Sequence, residues 1–114
     1  MLIDRFRPRF STEENSVHLV SLSCNTIPPV KYGGIELVVA NLAKGLVSRQ
    51  FRVRVYSPGE LGVEGCEHSQ TLPKPTKGLQ QSLIANTPDH LLKIESELRN
   101  NCKLGDVIIF NHAE

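Results

Sequence analysis

Between Ser16 and Gly59 the hydrophobic period changes twice, which limits the folds open to this chain more than any other feature. "SVHLVSLSC" (Ser16–Cys24) is a short apolar run in which Val17, Leu19 and Val20 are bounded by polar residues, the pattern of a strand. From Ile35 the apolar residues fall at Ile35, Val38, Val39, Leu42, Ala43, Leu46 and Val47, the spacing of one helix face, with Asn41, Lys44 and Ser48 on the polar side. Glu36 in the first turn and Lys44 and Arg49 toward the end follow the charge order a helix dipole favours. "FRVRVYSPG" (Phe51–Gly59) returns to a period of two. There Phe51, Val53 and Val55 alternate with Arg52 and Arg54 until Pro58-Gly59 stops the strand.

Beyond Gly59 the chain is rich in glycine and proline, with one short strand expected near Glu67–Leu72 and a short helical turn in "LQQSLIAN". "TPDHLLKIESELRNNCKLG" reads as a second helix. The Thr87 hydroxyl can accept from an otherwise unpaired amide at its start, and Pro88 suits the first helical position because it has no N–H to lose. Leu91, Ile94, Leu98 and Cys102 would line its buried face. After Gly105, "DVIIFNH" is an unbroken apolar run, which predicts a strand buried on both faces, as in a parallel sheet. Strand, helix, strand, weak strand, helix, strand is the order of an α/β fold. The expected architecture is a partial Rossmann-like, doubly wound parallel sheet of strand order 3-2-1-4 over residues 16–114, preceded by a flexible tail over residues 1–15.

Composition excludes several function classes. At 114 residues the chain makes one domain, and 39% hydrophobic with 22% charged residues fits neither a disordered nor a fibrous protein. A net charge of +1 provides no attraction for nucleic acid. Cys24, Cys66 and Cys102 are odd in number and form no C-x-x-C pair, which argues against a disulfide framework or a zinc site and for a reducing, cytoplasmic setting. The histidines share no ligand spacing, so neither a metal nor a cofactor is expected; His18 reads as structural. No apolar run is long enough to cross a bilayer. "MLIDRFRPRF" has no apolar core and does not read as a secretory signal. Its Arg5, Arg7 and Arg9 allow a peripheral contact with an anionic membrane, although a disordered tail is the simpler reading.

The chemistry is expected where the first helix begins. In a sheet of order 3-2-1-4 the chain reverses between strands 1 and 4, and ligands lie in that crevice at the carboxyl ends of the strands. "NTIPPVKYGGIE" borders it on one side and Asn111-His112 on the other. Free amides and the dipole of a helix N-terminus suit phosphate, and glycine lets phosphate oxygens approach the backbone. Gly33 and Gly34 are therefore the candidate phosphate contacts. Lys31 could add charge, and Tyr32 could cover a ring or a sugar. A Gly-Gly pair before a helix is, by itself, as often a plain tight turn.

"PPVKYGGIELVVANLAKGLVSRQFRVRVYSPGE" resembles the N-terminal segment of family 4 glycosyltransferases of the GT-B fold, and "GDVIIFNHAE" resembles their fourth strand. The resemblance covers Val17 to Glu114 and is densest from Ile27 to Glu60. It implies transfer of a sugar from a nucleotide diphosphate sugar to an acceptor, with retention of configuration, in a cleft between two Rossmann-like domains. It places Gly33 and Gly34 at the donor's diphosphate and sugar, with Tyr32, Glu36, Asn111 and His112 lining the cleft. The nucleotide pocket and the Glu-rich catalytic motif of that family belong to a C-terminal domain outside these 114 residues. No residue here is therefore assigned as catalytic, and the 114 residues alone are expected to be inactive. Where the family usually has Gly-His, this chain has Gln50-Phe51, at a turn away from the cleft.

Two other functions compete. A dinucleotide-binding oxidoreductase would need G-x-G-x-x-G directly after the first strand; Glu60 is near the place of its ribose-binding acid, but the glycines are absent and the loop is too long. A non-catalytic α/β binding module is the other alternative, since "VIIF" would then be an open apolar edge. No carboxylate pair carries a glycosidase signature.

Overall fold

A computed structural model of the 114-residue chain describes residues 10–23, 25–29, 34–76 and 88–111. The elements, in order, are β1 (Ser16–Val20), α1 (Gly34–Ser48), β2 (Arg52–Ser57), β3 (Glu67–Gln70), α2 (Pro88–Asn101) and β4 (Val107–Phe110). The strands form one sheet of order β3-β2-β1-β4, and every pairing is parallel. This is an α/β arrangement compatible with part of a Rossmann-like sheet. The "LQQSLIAN" turn and Thr87 lie outside the described residues.

Strand alternation divides the core into two faces. On one, Val17, Leu19, Val53 and Val55 meet Val39, Ala40 and Ala43 of α1, with Ile27 and Val63 completing the cluster. Leu19, Val39, Ala43 and Val55 are fully buried, and burying a side chain the size of Val or Leu contributes roughly 1.5–3 kcal/mol. On the other face Val20 and Tyr56 pack against Ile94 and Leu98 of α2. This face is more polar. Arg54 Nη1 donates to Ser69 Oγ (2.9 Å), and Ser69 Oγ donates to Glu97 Oε1 (2.8 Å).

Three expectations are corrected. Val38 is 58% exposed, because the stripe of α1 facing the sheet is Glu36, Val39, Ala40 and Ala43, and Val38 lies well round the helix from it. Leu91 is exposed because His90 and Ile94 are the buried residues of α2. β4 is not buried on both faces: Val107, Ile108 and Phe110 are exposed. α2 packs over Val20 and Tyr56, leaving Ile108 and Phe110 of β4 uncovered while Ile109 packs on the α1-side core, and among the described residues no strand pairs with the outer side of β4. The docked part of the chain also begins before Ser16. Phe10 stacks at 5.7 Å on Phe51, and Asn15 is buried.

α1 ends in a Schellman closure. Phe51 N–H donates to Leu46 O (3.0 Å) and Gln50 N–H to Val47 O (2.9 Å), with Gln50 in the left-handed region at φ 69°. That position usually takes glycine, so the Gln50 departure is absorbed locally by a strained residue. The link from β2 to β3 contains no helix. It crosses the α1 face through Val63 and turns at Gly65, where φ is 86° and a Cβ would come within 2.7 Å of Val47.

Candidate functional site at the carboxyl ends of the strands

From β1 the chain passes through α1 to β2 on one side, and later through α2 to β4 on the other. The carboxyl end of β1 is thus the point where strand order reverses. Of the residues expected there, Tyr32, Gly33 and His112, like Lys31, lie outside the described residues; Gly34, Glu36 and Asn111 are described.

Gly34 is exposed and opens the fifteen-residue α1, whose first amides have no partner within the helix. Asn111 ties the end of the edge strand β4 to β1. Its backbone N–H donates to Val20 O (3.0 Å), and its Nδ2 lies 3.4 Å from Val20 O and 3.3 Å from Ile109 O. With the amide nitrogen used this way, Asn111 offers a ligand mainly its Oδ1 acceptor.

Glu36 is 3% exposed and sits on the sheet-facing stripe of α1, one turn before Val39 and Ala40. Sequence reading placed Glu36 at the cleft but gave no hint that it would be buried.

Ser21 was missed. It follows β1 directly, and its N–H donates to Tyr56 O (3.0 Å), so the ladder runs on through it. Alternation from Val17 and Leu19 then sends its side chain to the α1 face. Ser21 is 2% exposed, and its Oγ is the one buried side-chain polar atom without a partner among the described residues. A serine continuing an apolar strand, with no turn to stabilise, was the only available signal.

The α2 side of the same edge is closed. His90 is fully buried; its Nε2 lies 2.8 Å from Ser21 O and its Nδ1 2.6 Å from Thr71 Oγ1. Donation from Nε2 to the carbonyl leaves Nδ1 to accept the threonine proton. Burial pushes the His90 pKa below its ordinary value, against the Ser21 carbonyl, which acts to raise it. The ring ties the start of α2 to the ends of β1 and β3.

The amino end of β1 holds a second polar cluster. Asp106 Oδ1 accepts from Asn15 Nδ2 (2.8 Å) and Ser16 N–H (3.0 Å), while Oδ2 accepts from His18 Nε2 (2.8 Å) and Lys103 N–H (2.9 Å). His18 Nδ1 lies 2.7 Å from the Tyr56 hydroxyl. Burial acts to raise the Asp106 pKa, but the Lys103 amide, His18, Asn15 and the Ser16 amide together hold it well below the carboxylate range. Burial also pushes the Tyr56 hydroxyl above its usual value, so it remains protonated. Cys102 brings its sulfur close enough that one ligating atom each from His18, Cys102 and Asp106 lies within 4.8 Å of the others. Asp106 already accepts four hydrogen bonds, and the cluster reads as a structural clasp between β1 and the turn before β4. Cys66 and Cys102 are free thiols. A shallow groove between Lys44, Val47 and Ser48 of α1 and Gly62 to Glu64 lies beside the C-terminal half of α1, away from the strand-order reversal.

No protein-family model matches this chain, and neither a curated protein nor a solved structure matches it. No helix among the described residues is long and apolar enough to cross a membrane.

Proposed function

We propose that this chain is the N-terminal, Rossmann-like part of a GT-B glycosyltransferase and that its β1–β4 crevice receives a nucleotide diphosphate sugar. The observation that carries this reading is the reversal of strand order at β1, with a fifteen-residue helix opening at Gly34 beside that reversal. Phosphate is the group such an N-terminus suits, because the unpaired amides and the dipole both favour negative charge. In this reading Gly33 and Gly34 lie against the diphosphate, Tyr32 and His112 flank it, and Asn111 borders the sugar. The chemistry asked of this half is electrostatic: preorganised amides stabilise charge on the departing diphosphate. The catalytic groups and the nucleotide pocket come from another domain, so the 114 residues bind weakly and do not turn over.

The test is titration of the ¹⁵N-labelled chain with UDP, UDP-glucose and GDP-mannose at millimolar concentrations. Shifts confined to the amides around Gly34 and Asn111 are expected. Spectra that stay unchanged with all three, or that change only at the groove by Lys44, would overturn the reading.

A further inference from the structure

The clasp at the amino end of β1 gathers an imidazole, a thiol and a carboxylate. A His18 ring nitrogen, the Cys102 sulfur and an Asp106 oxygen come from β1, the residue after α2 and the turn before β4, and no two of them lie more than 4.8 Å apart. The His18 and Asp106 side chains are 1% and 0% exposed, while Cys102 is half-buried, so the sulfur side gives access from solvent. Sequence spacing hides the group, because His18 stands 88 residues before Asp106.

The distances suit a metal ion. Tetrahedral zinc holds nitrogen and oxygen ligands at about 2.0–2.2 Å and thiolate at about 2.3 Å, which sets its donor atoms roughly 3.3–3.7 Å from one another. The separations here run from 2.8 Å, between His18 Nε2 and Asp106 Oδ2, up to 4.8 Å. They bracket the required value, and side-chain shifts on the order of 1 Å would close the shell. The atoms facing away from the group are held as metal ligands require. His18 Nδ1 lies 2.7 Å from the Tyr56 hydroxyl, and Asp106 Oδ1 accepts from Asn15 Nδ2 and the Ser16 amide.

We propose that His18, Cys102 and Asp106 form a binding site for a divalent cation of the zinc class. The ion takes the place of the proton that His18 Nε2 donates to Asp106 Oδ2. The neutral imidazole keeps one proton, now on Nδ1 and donated to the Tyr56 oxygen, and the Cys102 S–H proton leaves to water. One thiolate and one carboxylate then balance the two charges of the ion, so no net charge is buried. Asp106 retains its hydrogen bonds from Asn15, Ser16 and Lys103, so the clasp stays closed around the metal. Thiolate and imidazole favour zinc over magnesium or calcium, which take oxygen ligands. Three protein ligands leave a fourth position to water. The bound ion fastens the end of α2 and the turn before β4 to β1, at the opposite end of the strand from the crevice, and the proposal is independent of the glycosyltransferase reading.

The test is zinc binding by the full 114-residue chain, followed by calorimetry and melting temperature. One ion per chain is expected, with the melting temperature raised by roughly 10 °C when free zinc is about a hundredfold above Kd. Magnesium should give no rise. Cobalt(II), as a spectroscopic stand-in, should show a thiolate charge-transfer band. Cys102→Ala leaves every hydrogen bond to Asp106 in place; it should weaken zinc about a hundredfold or more and abolish that band. Cys24→Ala and Cys66→Ala should keep both. A further readout needs no variant: in ¹⁵N spectra of the histidine rings, zinc should move the His18 proton from Nε2 to Nδ1. No melting shift with zinc, zinc affinity that survives in Cys102→Ala, or a His18 proton that stays on Nε2 with zinc bound would each overturn the proposal.

Discussion

The two ends of β1 treat buried polar groups in opposite ways. At the amino end, Asp106 accepts four hydrogen bonds and His18 is held between it and Tyr56. At the carboxyl end, on the α1 side, the Ser21 hydroxyl is as deeply buried and has no partner among the described residues. The strand and the depth of burial are shared, although the clasp lies on the α2 face of the sheet and Ser21 on the α1 face, so burial by itself does not explain the difference. A satisfied polar cluster specifies how segments dock. Unsatisfied groups at a strand-order reversal are what a binding site retains at the expense of stability.

The largest expected effect is at the clasp. Asp106→Ala leaves the His18 ring, the Asn15 amide and two backbone amides without their acceptor, and should destabilise the fold by about 3 kcal/mol or more in urea denaturation. Ser21→Ala, at the other end, should have the opposite sign. If both variants destabilise, the contrast between the two ends collapses.

Acid should separate the ends further. The folded pKa of Asp106 is depressed, so its contribution is complete above the unfolded carboxylate value near ~3.9 and is lost as pH falls below it. The folded pKa of His90 is also depressed, but for a base this means the unfolded chain protonates first. Its contribution is therefore lost earlier, as pH falls through about 6.5. His68, likewise lowered by burial, adds to that first stage. Stability measured from pH 8 to pH 3 should fall in two steps, and His90→Gln should shrink only the upper one. A single step near pH 4 that His90→Gln leaves untouched would remove His90 from this account.

The smallest effect concerns the two ends of α1. Its C-terminus is closed by backbone hydrogen bonds but holds Gln50 in a left-handed conformation that disfavours residues with a Cβ. Gln50→Gly should stabilise by about 0.5–1 kcal/mol, the relieved strain being partly offset by the flexibility of glycine in the unfolded chain. Ligand binding near Gly34 should not change. A loss of stability would mean that the Gln50 side chain has a role its backbone does not reveal.

Much of the fold was legible because its signals are local. The period of α1, the alternation of β2 and the apolar run of β4 each lie within one element, and together they implied the observed strand order. The exposure of β4 was not legible, since "VIIF" looks the same whether or not a helix covers it. Val38 and Leu91 were misplaced for a related reason: periodicity defines a stripe, but the rotation of that stripe is set by what packs against it. The candidate site was half legible. Gly34, Glu36 and Asn111 could be placed at the crevice from element order, whereas Ser21 looked like one more strand residue.

By itself, the sequence determined the elements and their order, because hydrophobic period and chain connectivity are properties of neighbouring residues. Only the tertiary structure decided which polar groups find partners. Asp106 meets Asn15 and His18 across roughly ninety residues of chain, while the Ser21 hydroxyl is buried without a partner among the described residues. Satisfaction of a buried polar atom depends on distances between elements, and those distances are fixed only when the sheet and its helices have packed.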